Sequence, residues 1–586
     1  MAIPPRLIAS SSSSCTTTST NNSSIHIEEG LASKFWIKFR RESVFSMYTP
    51  FIISLASGTL KIDSFRHYLS QDSHFLKSFA HAFELAEECA DDDEAKLATS
   101  ELRKGVLEEL KMQNSFVELY FCLLLPGSSF PSAGSRRRKI LQHWNLKEHC
   151  SALTLVMSIC HTNATKIILF DFEWGTDPGK ERTVNSATVK YTDFLLATAS
   201  GKVEGVKGPG KLATPFERTK VAAYTLAAMT PCMRLYSFLG KELQALLDPE
   251  DDRHPYKKWI DSYSSESFQA SALQTEDLLD KLSVSLTSEE LDIIEKLYHQ
   301  AMKLEIDFFL AQPLAQPTVA PLTKGHNPAE DRLVIFSDFD LTCTVVDSSA
   351  ILAEIAIVTA PKTDVVQSEA QIARMSSADL KNTWDLLSGQ YTEEYEQCIE
   401  SIMPSKRVEF NYEALCKALE QLLDFERRVN SRVIESEVLK GLNLEDVKRA
   451  GGLDVNVHAN ELIFDESIST GEIVKKVESP LDKAQAFNDI LKNYSNDRKN
   501  LTVYIGDSVG DLLCLLKADI GIVVGSSASL RKVGSQFGVS FVPLFPGLVR
   551  KQKESGGESS PNWKGLSGIL YTVSGWAEIH AFILGW

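Results

Sequence analysis

Asp338 and Asp340 stand two residues apart in the stretch Leu333–Val346, LVIFSDFDLTCTVV. It begins as an apolar run, Leu333-Val334-Ile335-Phe336, of the kind that forms a buried strand. Carboxylates at the tip of such a strand are costly unless positive charge meets them. Alternation along an extended chain sends both side chains the same way, which suits a bound cation and an incoming phosphate. Leu501–Leu512, LTVYIGDSVGDL, repeats the pattern, with Asp507 and Asp511 four apart where a loop runs into a helix start. Oxygen ligands with room for water and phosphate oxygens suit Mg²⁺. Between the two stretches lies Ser479-Pro480-Leu481-Asp482-Lys483, and Lys483 is placed to offset phosphate charge. Singly, each feature has a bland reading, a turn with solvated acids or a surface lysine; their order along one chain argues for a shared site.

The order DxDxT, then Lys, then GDSxxD resembles the haloacid dehalogenase (HAD) phosphatase superfamily. The resemblance implies an α/β Rossmannoid domain and a phosphoaspartyl mechanism. Asp338 would attack phosphorus as a covalent nucleophile. Asp340 would protonate the leaving oxygen and then deprotonate water. Thr342 would steady the substrate-binding loop. Asp338, the backbone carbonyl of Asp340 and Asp507 would hold Mg²⁺, with Asp511 assisting, and Lys483 would stabilise the nucleophile and the transferring group. Such phosphatases also carry an apolar strand ending in Ser or Thr ahead of the lysine. Here Ala450-Gly451-Gly452-Leu453-Asp454 runs straight into Val455–Leu462, and Ser431 and Ser436 lie in a charged helical context. The junction at 451–452 therefore reads as a deletion that removes one parallel strand and its serine. A catalytically impaired chain that binds its ligand without turnover is the alternative reading.

At 586 residues the chain exceeds one ordinary core, and its 43% hydrophobic content supports globular folding. A net charge of −17 argues against a nucleic-acid partner. The ten cysteines form no CxxC pair and read as reduced thiols. Residues 1–27 hold one arginine, and Met1–Ser24 holds no acid but a Ser/Thr-dense tract, SSSSCTTTSTNNSS. This resembles a transit peptide, mitochondrial in the first instance, with plastid and cytosol as alternatives. No uninterrupted apolar run is long enough to span a bilayer; the best, Ser151–Phe172, is broken by His161-Thr162-Asn163.

The elements that must position these groups fall into two halves. From 28 to 311 the pattern is helical: an amphipathic start at Phe35–Phe39, then Phe65–Cys89, Glu101–Val117, Val221–Leu246 and Thr287–Leu310. Thr198–Thr219 is Gly/Lys-rich and reads as a loop without a phosphate-loop pattern. Residues 312–330 are a proline-bearing linker, and 331–586 form the second domain. Within it, Ser349–Leu442 carries helical runs at Leu380–Leu387, Glu393–Ile402 and Tyr412–Phe425, a cap over about 348–442. Gly521–Gly525 reads as a further strand, Gly547–Pro561 as a polar loop, and Gly568–Trp586 as an amphipathic end.

Several strings in the helical half resemble the thiaminase II (TenA) family, a haem-oxygenase-like all-α bundle. They are FRHYLSQDSHFL from Phe65, Lys190-Tyr191-Thr192, PCMRLY from Pro231, HPYKKWIDSY from His254 and EIDFF from Glu305. The resemblance implies hydrolysis of aminopyrimidines derived from thiamin, and a homo-oligomer through this domain as one option. By motif match Asp72 would hold the aminopyrimidine, Tyr191, Tyr236 and Tyr263 would stack and hydrogen-bond, Cys232 would be the nucleophile and Glu305 the acid/base. A flat polar heterocycle indeed wants aromatic walls with polar tips; a lone buried cysteine or tyrosine is otherwise ordinary core. Phe75 stands where the bacterial pattern has tyrosine. Residues 118–172 intervene where family members connect directly, and read as an anomalous insertion without function. The pairing of the two domains resembles plant thiamin monophosphate phosphatases. It implies Mg²⁺-dependent hydrolysis of thiamin monophosphate to thiamin, beside salvage of an aminomethyl-pyrimidine by exchange of its amine for hydroxyl.

Overall fold

The structure is a computed structural model. It describes residues 30–90, 92–123, 183–203, 215–248, 253–325, 329–360, 375–436, 438–440, 442, 457–494, 498–556 and 562–586. The expectations for the N-terminal tract, the junction at 451–452, Ser151–Phe172 and most of the insertion lie outside them. The described part divides into two compact units. The first comprises 30–325 together with Leu548 onward to 556 and His580–Trp586; the second comprises 329–547 and 562–579. Two C-terminal segments thus group with the helical unit, which a single cut near 331 does not anticipate.

The helical unit contains α1 (Leu31–Lys38), α2 (Arg40–Met47), α3 (Pro50–Ala56), α4 (Ile62–Cys89), α5 (Asp93–Leu123), α6 (Ser186–Ala199), α7 (Pro215–Gln244), α8 (Lys257–Ser264), α9 (Glu266–Ser283) and α10 (Ser288–Leu310). In α4, Phe65, Tyr68, Phe75, Leu76, Phe79 and Phe83 fall at helical spacing and are all buried. α10 starts with a capping box, Thr287 and Glu290 each satisfying the other's backbone amide. α7 is buried along most of Val221–Leu243 and carries Pro231 within it, next to Cys232. The missing amide of Pro231 leaves the carbonyl of Ala227 without its helical donor. α5 runs on to Leu123, beyond the end expected near Val117. Of the expected loop at Thr198–Thr219, only 204–214 lies outside the described residues; Thr198 and Ala199 close α6, and α7 begins at Pro215.

The expected linker is packed rather than loose. Val319 and Ala320 are buried, and Gln552 clamps the segment by accepting from Val319 N at 2.8 Å and donating to Pro317 O at 3.1 Å. Gln552 itself corrects the reading of Gly547–Pro561 as loop, because a helix spans Leu544–Ser555 (α17). Leu544, Phe545, Leu548, Val549 and Gln552 form a buried stripe at helical spacing that the flanking lysines, glutamates and Gly547 obscure in the sequence.

The second unit is built on a five-stranded parallel sheet of order β1-β4-β5-β7-β6. Its strands are β1 (Asp331–Ser337), β4 (Lys499–Gly506), β5 (Ile520–Val524), β6 (Ser540–Pro543) and β7 (Ile569–Val573). Helices α11 (Ser348–Thr359), α12 (Ser377–Ile402) and α13 (Tyr412–Glu435) follow β1, longer than the runs expected there. They are succeeded by an antiparallel hairpin, β2 (Glu461–Asp465) and β3 (Ile468–Val474). Ala356, Leu380, Val433 and Leu439 make a small core with Leu462 and Ile473 of the hairpin. α14 (Pro480–Asn493), α15 (Leu512–Lys517) and α16 (Ala528–Gln536) complete the α/β arrangement, and α18 (Trp576–Ile583) follows β7.

β4 and β5 are buried as their apolar runs predict, but β1 is not. Ile335 is 47% exposed, and β1 has β4 as its partner among the described strands. Among the described strands β1 therefore lies at the sheet edge. An expected buried strand is half-exposed because no described strand covers its other side.

Candidate active sites

β1 and β4 run in parallel register, Ser337 opposite Ile505, so the loops that follow them leave the sheet side by side. Asp338 N continues the ladder by donating to Ile505 O at 2.8 Å. This is why acids from distant parts of the sequence meet. Ligand oxygens of Asp338, Asp507 and Asp511 all lie within 4.8 Å of one another. Lys483, at the first turn of α14, donates to Asp338 Oδ1 and Asp511 Oδ1, each at 2.8 Å. Thr342 Oγ1 donates to Asp507 Oδ1 at 2.9 Å.

The loop after β1 is held in a strained shape. Leu341 has φ of 57°, an uncommon conformation for a branched residue. Cys343 N donates to Phe339 O at 2.9 Å, Leu341 N to Thr344 Oγ1 at 3.1 Å and Trp576 Nε1 to Thr342 O at 2.8 Å, which together fix it. The carboxylate of Asp340 is separate from the cluster and accepts from Ser348 N at 2.8 Å and Ser348 Oγ at 2.9 Å, at the start of α11.

Asp511 is wholly engaged. Oδ1 accepts from Lys483 and, at 3.0 Å, from Tyr504 OH; Oδ2 accepts from Ser508 N at 3.0 Å and Ser508 Oγ at 2.7 Å. Its close approach depends on Gly506, where a Cβ would fall 2.6 Å from Asp511 Cγ. Burial alone would raise the Asp511 carboxyl, but Lys483 and Ser508 outweigh it and hold it below the usual range. Asp338 is pushed up to about 6, by burial first and then by the charge of Asp511, with Lys483 opposing. Asp507 is likewise pushed up to about 6 by burial and by Asp511. Burial would lower the Lys483 ammonium; the carboxylates of Asp511 and Asp338 prevail and raise it. Two carboxyls pushed up by burial and by the charge of Asp511 mark a place where a cation would bind with gain. An all-oxygen donor set in which Asp338 and Asp507 each keep an oxygen outside these hydrogen bonds fits a hard divalent ion.

The other sequence-expected residues gather in the core of the helical unit. Tyr191 of α6 donates to Glu305 Oε1 at 2.8 Å, and the Cys232 thiol of α7 also bonds Glu305. Burial first, then the nearby charges of Glu305, Asp72 and Glu109, push the Cys232 thiol well up. Glu305 itself is pushed up to about 7 by burial, with the Tyr191 and Cys232 bonds opposing. Asp72 is buried on α4, and its charge acts on Tyr68, Tyr236 and Cys232. The Tyr236 and Tyr263 rings lie 4.9 Å apart, and Phe75 sits 4.7 Å from Tyr191. Five helices thus bring Asp72, Tyr191, Cys232, Tyr236, Tyr263 and Glu305 together.

Sequence reasoning passed over several members of both sites. Glu109 on α5 accepts from Tyr263 OH at 2.6 Å, and Trp259 Nε1 donates at 3.3 Å to Tyr68 OH, which donates at 3.2 Å to Tyr236 OH. Tyr504, Ser508, Ser348 and Trp576 were equally unmarked around Asp338.

A family model described as the TENA/THI-4/PQQC family matches residues 43–120 and 215–314, interrupted across the expected insertion. The bifunctional TH2 protein, mitochondrial, of Arabidopsis thaliana is 59% identical over 610 aligned residues, covering 95% of this chain and 90% of that protein. An uncharacterised protein of Haemophilus influenzae is 26% identical, covering 44% of this chain and 87% of its own. The aminopyrimidine aminohydrolase of Helicobacter pylori is 25% identical, over 44% of this chain and 88% of its own. Among the described residues no helix is long and apolar enough to cross a membrane.

Proposed function

Because the chain belongs to the family of the bifunctional TH2 protein, with a TenA-like helical domain ahead of an α/β unit, we propose that it hydrolyses two kinds of thiamin-related compound. The α/β unit, read as HAD-like, would hydrolyse phosphate monoesters, thiamin monophosphate among them. The helical domain would hydrolyse aminopyrimidine breakdown products of thiamin, exchanging an amine for hydroxyl. The relative's name supports a mitochondrial location, as does the acid-free, Ser/Thr-dense stretch of this chain.

The observation that carries the phosphatase reading is the Lys483 ammonium bridging Asp338 and Asp511 at 2.8 Å each. It holds the Asp338 carboxylate toward one place and leaves an oxygen for attack on phosphorus. Mg²⁺, held by Asp338, Asp507 and the Asp340 carbonyl and backed by Asp511, would shield that nucleophile from the phosphate charge. Thr342 orients Asp507, and Lys483 meets charge building on the transferring group. Asp340, whose carboxylate accepts from Ser348 at the start of α11, would serve as the acid/base.

In the helical domain Glu305 would take the Cys232 proton as sulfur bonds to carbon and give it to the amine, which leaves as ammonia. Water would then supply the hydroxyl, its proton passing through Glu305 to the departing sulfur, and Asp72 would pair with the aminopyrimidine edge. The matching similarity to the Helicobacter pylori aminopyrimidine aminohydrolase supports this half.

One observation favours a second reading. Among the described strands β1 has β4 alone as neighbour, and the phosphatase pattern calls for a further strand ending in Ser or Thr. A chain without that serine would bind thiamin compounds with little turnover. Phosphate release from thiamin monophosphate and from an aryl phosphate, with Mg²⁺ and with chelator, distinguishes the two. Mg²⁺-dependent release that disappears in Asp338→Asn supports the enzyme; no release, or release indifferent to metal and to Asp338, supports the binder.

A further inference from the structure

One residue holds both oxygens of the Asp340 carboxylate. Ser348 N donates to Oδ1 at 2.8 Å and Ser348 Oγ to Oδ2 at 2.9 Å. Among the described residues this carboxylate accepts no other hydrogen bond. The torsion that sets the plane of an aspartate carboxyl is broad, so an untethered one has no fixed aim. A donor on each oxygen, both from the same residue, fixes that plane. A carboxylate offers about four lone-pair sites, so Ser348 leaves others open for a proton in transit. Asp340 and Ser348 are both half-buried, at the open end of β1 rather than in a packed core.

Both partners are themselves held. Ser348 is the first residue of α11, where backbone amides lack a helical acceptor. Asp340 takes the amide of Ser348, and Asp347 takes the next one. Asp347 Oδ1 accepts from Ser349 N at 2.8 Å and from the Ser349 hydroxyl. Asp347 is fully buried, and this cap keeps the first turn of α11 from fraying. Further along α11, Ala356 is buried with Leu380, Val433 and Leu439, and Leu352 and Ile355 pack against them. On the other side, Leu341 follows Asp340 with φ of 57°, and its amide donates to Thr344 Oγ1 at 3.1 Å. The pair therefore joins a pinned loop to a capped helix, the kind of support that a group moving protons needs.

We propose that Ser348 is the positioning residue of the acid/base, its amide and hydroxyl setting the direction in which Asp340 gives and takes a proton. This role rests on the phosphatase reading and adds the residue that aims its second carboxyl group. In the first step an oxygen of Asp338 bonds to phosphorus, the ester P–O bond breaks, and the Asp340 proton passes to the departing oxygen. An alcohol and an Asp340 carboxylate result. In the second step water oxygen bonds to phosphorus, the bond from Asp338 to phosphorus breaks, and one water proton passes to Asp340. Asp340 thus alternates between acid and carboxylate. The Ser348 amide can only donate, whereas its hydroxyl can donate or accept. The hydroxyl donates to the carboxylate and can turn to accept from the acid, so one residue holds both forms. Alanine at this position keeps the amide alone; threonine keeps both groups.

The test compares two esters on the full chain with Mg²⁺. The alkoxide of thiamin monophosphate must be protonated as it leaves; the phenolate of 2,4-dinitrophenyl phosphate leaves unaided. Ser348→Ala is expected to lower kcat/KM for thiamin monophosphate by about tenfold or more, a part of the roughly 10²–10⁴-fold that a positioned acid supplies. For the dinitrophenyl ester kcat/KM should fall by less than about threefold, since its first step needs no acid. Its kcat should still fall by about tenfold, with KM falling in step, because the second step limits turnover of an activated ester and needs the base. Ser348→Thr should stay within about threefold of wild type on both esters, as it keeps both donors. An equal fall in kcat/KM for the two esters would mark a purely structural role and overturns the proposal, as does no fall in either. Asp340→Asn separates the failures, for it removes the proton carrier itself and should show the same split more deeply. If the wild-type chain hydrolyses neither ester, or Asp340→Asn treats them alike, the phosphatase reading of Asp340 fails and the role of Ser348 with it. A split in Asp340→Asn without one in Ser348→Ala overturns the role of Ser348 alone. Should Ser348→Ala not fold in a thermal melt, Ser348→Gly, which also keeps the amide and loses the hydroxyl, is read in its place.

Discussion

Lys483 and Asp338 meet at 2.8 Å, although 145 residues separate them in the chain. The same ammonium reaches Asp511, so one cation offsets the repulsion between a half-buried and a buried carboxylate. Lys483→Met removes that charge while preserving most of the side chain's length. Phosphatase kcat/KM is expected to fall by about a hundredfold or more, as when a preorganised charge donor is deleted. Phosphate release measured beside a thermal melt checks it; a folded variant within threefold of wild type contradicts the role assigned to Lys483.

Thr342 acts through Asp507. Its hydroxyl donates to Asp507 Oδ1, and in the proposed phosphatase the other oxygen would face the divalent ion. Thr342→Val keeps the shape and loses the bond. The Mg²⁺ concentration for half-maximal phosphatase activity is expected to rise about tenfold, the usual cost of losing an outer partner of a metal ligand. Activity at saturating Mg²⁺ should recover most of its wild-type value. An unchanged Mg²⁺ requirement would show that Asp507 needs no such orientation.

What the sequence discloses and what it hides follow from the kind of interaction involved. Asp338 and Asp507 are legible because each follows an apolar run, and Lys483 because it lies between the two acid motifs; the parallel pairing of β1 with β4 brings the two acid loops together. Ser348, Ser508 and Trp576 act through one or two hydrogen bonds each from loop or helix-start positions, where serine and tryptophan have many ordinary uses. Glu109 lies on a charged helix and reads as solvated until Tyr263 from α8 is seen against it. The run Leu333–Phe336 predicts a strand correctly, yet not its exposure, because whether a strand has neighbours on both sides is a property of the sheet. α17 was missed since Gly547 and its lysines weigh more in a local reading than the buried stripe of Leu544, Leu548 and Gln552.

Glu305 makes the helical domain's reaction depend on pH with a definite sign. Its carboxyl is pushed up to about 7, and the Cys232 thiol well above its ordinary value, so the thiol carries its proton near neutrality. Below about 7 Glu305 is itself protonated and cannot accept from Cys232; above it, it can. Aminopyrimidine kcat/KM should therefore rise with pH through about 7, since that ratio reports the free enzyme's base. Glu305→Gln should abolish the activity and Tyr191→Phe should move the limb upward, because the Tyr191 bond lowers the Glu305 carboxyl. A limb that falls across this range instead would assign Glu305 as acid rather than base.

Tyr263 and Glu109 give the last test, one that separates structure from recognition. Tyr263 OH donates to Glu109 Oε1 at 2.6 Å, and burial pushes the Glu109 carboxyl up while that bond pulls it down. Tyr263→Phe leaves the carboxyl without this donor and is expected to cost about 1–3 kcal/mol of stability. Glu109→Gln keeps an acceptor for the phenol and should cost less than about 1 kcal/mol, since the hydrogen bond survives with its charge removed. If the pair serves only to hold α5 against α8, both substitutions shift the melting temperature and leave KM for an aminopyrimidine unchanged. Because Glu109 also acts electrostatically on Cys232 and Tyr68, KM is expected to rise in Glu109→Gln at little cost in melting temperature. A melting shift without any change in KM would confine Glu109 to the scaffold.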